Sequence, residues 1–145
     1  MDRLACVSIS SLALQIALKR NPTWLKEPVV IVDELKPLGF ILEVNRIARE
    51  SRVLPGMRYA SALSLTQNLR AAVVDSNDVV ELVKLMRAIL LDFTPEFEPK
   101  EDEPGVFWLR ASGLDRLFGS FDIWCEKLYQ EVRSYGFYSS IVVGF

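Results

Sequence analysis

The order of its apolar segments constrains this chain more than any single motif does. Leu4 to Ile9 (LACVSI) reads as a short buried strand, apolar apart from Ser8. Asn77 is positioned to cap the amphipathic helix DVVELVKLMRAILLDF, with Val79, Leu82, Val83, Met86, Ile89, Leu90 and Phe93 on one face. Two strands follow, Thr94–Pro99 and Gly105–Ala111, joined by the charged turn KEDEPG. A second amphipathic helix over Gly119–Tyr135 turns Phe121, Trp124, Leu128, Val132 and Tyr135 inward, and Gly136 stops it before the strand FYSSIVV. With residues 11–76 set aside, the order is strand, helix, strand, strand, helix, strand. That is the βαββαβ pattern of a ferredoxin-like α+β domain. Right-handed crossovers place the first and third strands side by side in the middle of the sheet. Leu4–Ile9 is therefore predicted beside Gly105–Ala111, although most of the chain lies between them.

Residues 11–76 form an α/β insertion that leaves from the end of the first strand. A helix capped by Ser10 or Ser11 runs to about Arg20 and ends at Asn21-Pro22. Strands are expected at Pro28–Val32, Gly39–Val44 and Leu69–Val74, with short helices at NRIARES, capped by Asn45, and around Tyr59–Thr66. The insertion carries a net charge of +3, against −5 for residues 1–10 and 77–145 together.

Composition then narrows the chemistry. The chain has no histidine, which removes Ser-His-Asp and Cys-His catalysis and imidazole metal ligation. Cys6 and Cys125 match no metal spacing and read as two buried thiols in a reducing cytoplasm. The opening MDRLACVSIS has no basic region followed by an apolar core, and no apolar run reaches the ~18 residues of a membrane span. A cytoplasmic location without membrane contact is the expectation. The net charge of −2 argues against wrapping nucleic acid by bulk attraction.

Three constellations carry possible chemistry. Arg46, Arg49 and Arg52 recur every three residues, with Arg58 just beyond, a spacing that lets guanidinium groups share phosphate oxygens or simply line a solvated helix face. Glu96, Glu98, Glu101, Asp102 and Glu103 crowd one hairpin, as magnesium ligands or as an ordinary acidic turn. Trp24, Trp108 and Trp124 each lie in apolar patterns that read as core, with base stacking as the other use.

The segments VNRIARESRVLPGMRYASAL, TPEFEPKEDEPGVFWLRASGLDRLFGS and YSSIVVGF, with the segment order of the whole chain, resemble the N-terminal palm and fingers of Y-family (UmuC/DinB, ImpB/MucB/SamB) translesion DNA polymerases. VNRIARESRVLPGMRYASAL resembles the fingers motif with Tyr-x-x-Arg and a later Gly-Met. TPEFEPKEDEPGVFWLRASGLDRLFGS resembles the palm hairpin that runs on to Leu-Phe-Gly, and YSSIVVGF the strand after it. The resemblance implies a palm made of residues 1–10 and 77–145, incomplete at its C-terminus, and fingers made of 11–76. It also implies that the chain is a fragment of a longer protein.

The departures from that family are as informative as the matches. The first-strand aspartate of active members falls on Ser8, and the other acidic position of that motif on Ser10. The Asp-Glu pair of the third strand falls on Gly105 and Val106, and the aromatic steric gate on Ala13. Of the two fingers residues that hold the triphosphate, the tyrosine position is Arg46, whereas the arginine is retained as Arg49. Arg46, Arg49 and Arg58 are thus expected to be a vestigial triphosphate site. Nucleotidyl transfer uses two divalent ions ~4 Å apart, and serine, glycine and valine offer them no anionic oxygen. LKEPVVIVD, VNRIARESRVLPGMRYA and DEPGVFWLRASGLDRLFGS look most like the ImuB-like branch, polymerase homologues without these acids. That branch implies an adaptor in damage-induced mutagenesis with no metal and no cofactor. Its partners would be a sliding clamp, a RecA-like ImuA-type protein, an error-prone C-family polymerase and, weakly, DNA. The competing expectations are an active polymerase using Mg2+ on Asp102, Glu103 and Asp33, and a nucleotide- or phosphate-binding module.

Overall fold

The computed structural model describes residues 3–144, apart from the side chain of Asp115. In chain order the elements are β1 (Leu4–Ser8), α1 (Leu12–Arg20), a 3-10 turn (Pro22–Lys26), β2 (Val29–Val32), β3 (Ile41–Val44), α2 (Arg46–Glu50) and α3 (Tyr59–Leu65). They continue with β4 (Arg70–Ala72), α4 (Ser76–Leu91), β5 (Phe97–Pro99), β6 (Val106–Arg110), α5 (Leu114–Phe118), α6 (Phe121–Ser134) and β7 (Ser140–Gly144). Two compact units result: one takes the chain up to Leu12 and from Val79 onward, the other is Ala13–Asp78.

The first unit holds a four-stranded sheet in the order β5-β6-β1-β7, every neighbour antiparallel. A right-handed βαββαβ chain gives this order, with β1 and β6 paired in the middle. Leu4 stands opposite Arg110, and Ser8 opposite Val106. Successive residues of a strand face opposite ways. Ala5, Val7, Phe107 and Leu109 are therefore buried, while Leu4 and Trp108 on the other face are exposed. Leu82, Met86, Ile89 and Leu90 of α4 and Trp124, Leu128 and Val132 of α6 are the helices' buried side chains. The Trp124 indole N–H donates to the Phe93 carbonyl at 2.9 Å, so the largest buried ring leaves no orphan donor.

The second unit is built on the order β3-β2-β4, with β2 antiparallel to β3 and parallel to β4. All four residues of β2 are buried, because this strand is covered on both faces. Val30 and Val32 pack with Ile41, Ala48, Val53 and Ala62, and Val29 and Ile31 with Leu14 and Ala17. Arg20 at the end of α1 grips Asp78 through both guanidinium NH2 groups.

Some local expectations are corrected. The cap of α4 is Asp75, not Asn77, which sits inside the helix. The Asp78 N–H donates to the Asp75 carboxylate and the Asp75 N–H to that of Asp78, both at 3.0 Å, a reciprocal capping box. Arg52 leaves the arginine row, because α2 ends at Glu50 and Arg52 adopts a left-handed φ of 66°. Tyr135 follows the last turn of α6 and is exposed. Both cysteines are half-buried rather than buried, and Trp108 is 48% exposed, on the open face of the sheet. No helix among the described residues is long and apolar enough to cross a membrane.

Candidate functional site

On the open face of the first unit, the side chains fall into rows across the strands. One row brings Val106, Ser8 and Ser140 together, Ser8 being the register partner of both others. The ladder continues past the strand ends, with the Ile9 N–H donating to the Gly105 carbonyl and the Lys100 N–H to the Val106 carbonyl, each at 2.9 Å. Ser8, Gly105 and Val106, distant in the chain, thus meet at one point of the sheet. Gly105 has a φ of 91°, and a Cβ there would come 3.3 Å from the Ile9 carbonyl oxygen. An aspartate at that position would be strained on both counts.

This row carries two hydroxyls and an aliphatic side chain. Magnesium sheds water reluctantly and takes carboxylate or phosphate oxygens in return, so these residues do not fit a two-ion centre. The nearby thiol supplies no substitute anion. Burial pushes the Cys6 thiol up, the Glu103 carboxylate adds to that, and Lys100 opposes it. Asp102 and Glu103 lie on the exposed tip of the hairpin, where Glu103 pairs with Lys100 at 3.3 Å. Asp33 accepts the N–H groups of Glu34 and Phe40, both at 2.7 Å, and so closes its own loop. Among the described residues, no group of three or more Cys, Asp or Glu is placed to hold a metal ion.

In the second unit, Asn45 positions the arginines. Its side-chain oxygen accepts the N–H of Ala48 at 2.9 Å and of Val29 at 3.0 Å, fixing the start of α2 against β2. Arg46 pairs with Glu50 at 3.2 Å on the solvent side, while Arg49 is exposed and free of any ion pair among the described residues. Arg58 is committed elsewhere: its guanidinium donates to the Leu38 carbonyl and lies 3.8 Å from the centroid of the Phe40 ring. Of the three predicted phosphate ligands, Arg49 alone is uncommitted.

Ala13 lies in the first turn of α1, and Glu43 of β3 reaches that turn. The Glu43 carboxylate is pushed up by burial, against which the backbone N–H groups of Leu14 and Ala13 draw it down. Its Oε1 is buried without a hydrogen-bond partner. An internal carboxylate thus occupies the positive end of α1, where an external anion would otherwise be favoured. Sequence reading missed Glu43, although a lone acid in the strand ILEV is the available signal. Because the folded-state pKa is raised, the stability this group lends is full at acid pH and is lost as pH rises through the folded pKa. Glu43→Gln is expected to raise the thermal midpoint at pH 8 and leave it nearly unchanged at pH 4, as read by calorimetry at both values.

The family model described as impB/mucB/samB matches residues 8–144. The chain belongs to that family. The same fold recurs in solved members of the Y-family. A post-insertion binary complex of Dbh DNA polymerase superposes with a TM-score of 0.79 at 16% identity, over 98% of this chain and 42% of that one. An insertion ternary complex of Dbh gives 0.75 at 16% identity, again over 98% and 42%. DinB from Sulfolobus solfataricus gives 0.75 at 16% identity, with the same coverage. No curated sequence matches the chain. The impB/mucB/samB chain therefore spans about 42% of the polymerases it resembles, and its α+β architecture is that of their palm and fingers region.

Proposed function

We propose that this chain is the palm and fingers part of a non-catalytic Y-family homologue that acts as a scaffold in damage-induced translesion synthesis. The observation that carries the reading is the row Val106–Ser8–Ser140. Its Ser8 and Val106 stand at positions where the family resemblance expects metal-binding acids, and the row offers a divalent ion no anionic oxygen. The left-handed backbone of Gly105 supports the same reading, as does the commitment of Arg58 to Leu38 and Phe40. A scaffold of the ImuB-like kind would connect a sliding clamp, a RecA-like ImuA-type partner and an error-prone C-family polymerase in the cytoplasm. Its own contact with DNA would be weak and steeply salt-dependent.

Manganese broadening of backbone amide resonances tests this directly. Added below one equivalent, the ion is expected to leave the amides of Ser8 and Val106 no more broadened than exposed carboxylates elsewhere. Selective broadening at Ser8 and Val106 that disappears in Ser8→Ala would defeat the scaffold reading. Selective broadening at Asp102 and Glu103 would instead support the active polymerase.

A further inference from the structure

The adjoining row on the same open face poses a separate question. There Trp108 stands between Glu98 of β5 and Cys6 of β1. One row further on, Arg110 stands opposite Leu4. Leu4, Glu96, Glu98, Trp108 and Arg110 line a shallow cleft of about 490 Å3. Its floor is apolar, with Leu4 47% and Trp108 48% exposed. Its charges are not balanced. Arg110 is neutralised by Glu96 at 3.2 Å, whereas Glu98 is exposed and in no ion pair among the described residues. Among the described residues, no cation lies over the Trp108 ring, although Phe40, Phe118, Phe121 and Tyr138 each carry one.

We propose that the Trp108–Glu98 cleft is a docking site for an arginine side chain in a basic segment of a partner protein. An indole face attracts a cation through its ring quadrupole, and most strongly when the pair is shielded from water. A guanidinium also stacks flat on a ring and offers a carboxylate two parallel N–H groups. Trp108 and Glu98, side by side on adjacent strands, present both halves of that recognition. The unit's net negative charge steers a basic segment toward the cleft and a nucleic-acid backbone away from it. The site does not depend on whether the chain polymerises, since no residue of the Val106–Ser8–Ser140 row takes part.

The test is an NMR titration of the whole chain with a capped eight-residue peptide of alternating arginine and glycine, and with the same peptide carrying neutral citrulline. The arginine peptide is expected to shift the indole N–H resonance of Trp108 saturably, that resonance being assigned by its loss in Trp108→Phe. Amides flanking the cleft report affinity in the variants, where Trp108→Ala and Glu98→Gln are each expected to weaken binding at least tenfold. The citrulline peptide is expected not to bind. Glu126→Gln, the same charge change on an exposed helix face, is expected to stay within twofold of the parent chain. Several results would overturn the proposal. These are no saturable shift at Trp108, equal binding of the citrulline peptide, or a Glu126→Gln loss as large as that of Glu98→Gln. Displacement of the peptide by duplex DNA at those same resonances would assign the cleft to nucleic acid. Concentration-dependent shifts without peptide would assign it to a second copy of the chain.

Discussion

Ser8→Asp combined with Val106→Glu is expected to create a divalent-cation site on the open sheet face. The two positions are direct register partners on the central strands. Cβ atoms so placed lie ~4.5–5.5 Å apart, close enough for one ion to bridge two carboxylates. In EDTA the paired charges repel, and opposed like charges in a sheet cost up to about 1 kcal/mol. A drop of roughly 2–8 °C in the thermal midpoint follows for a domain of this size. Manganese at a hundred times its dissociation constant returns about 2.7 kcal/mol, more than the repulsion took away. The midpoint should therefore fall in chelator and rise above that of the parent chain in manganese. Ser8→Asp alone, with one carboxylate, is expected to respond little. A double variant indifferent to manganese would mean that the register is not Ser8 opposite Val106. Gly105 is deliberately left unaltered, because its φ of 91° penalises any side chain.

The second large effect is on stability. Trp124→Ala is expected to cost about 3–5 kcal/mol, the range for removing a large aromatic side chain from a packed core. Trp124 is wholly buried, and the substitution also strands the Phe93 carbonyl that its indole N–H satisfies. Against a total of about 5–15 kcal/mol for a typical domain, that loss leaves the first unit close to unfolding at 25 °C. Urea denaturation followed by circular dichroism checks it. Trp124→Phe separates the two contributions, keeping most of the volume while abandoning the hydrogen bond at about 1–3 kcal/mol. A loss below 1 kcal/mol in the alanine variant would show that the ring is not a keystone of this core.

Much of the architecture was legible because it rests on long-range order rather than on local signals. The pairing of Leu4–Ile9 with Gly105–Ala111 followed from crossover handedness, and the structure has that pairing. The uninterrupted apolar run VVIV marks a strand, and β2 is that strand, buried at all four residues. Side-chain parity was harder to read. β6 is VFWLR, with four apolar residues in five, so hydrophobicity does not say which face is packed. The charge of Arg110 does. Residues two apart share a face, and Arg110 therefore carries Trp108 and Val106 outward with it. Asn77 and Asp75 are both capping residue types, and what selects Asp75 is its reciprocal pairing with Asp78, three residues on inside the helix. The arginine row lost Arg52 for a backbone reason, since α2 is only five residues long and its exit demands a left-handed residue. Arg58 was lost to the cluster because the Phe40 ring and the Leu38 carbonyl lie where its side chain reaches, a tertiary contact that no spacing reveals.

The central position of β1 has a consequence for how the polypeptide is made. Its neighbours are β6 and β7, so β1 leaves the ribosome well ahead of either strand it pairs with. At about 5–20 residues per second, the hundred or so residues before β6 impose a wait of roughly 5–20 s. The inserted unit closes on itself in that interval, because β2, β3 and β4 all lie between Val29 and Ala72. Synthesis thus leaves β1 unpaired while the inserted subdomain is already complete, and that waiting strand is where a chaperone would have most to hold.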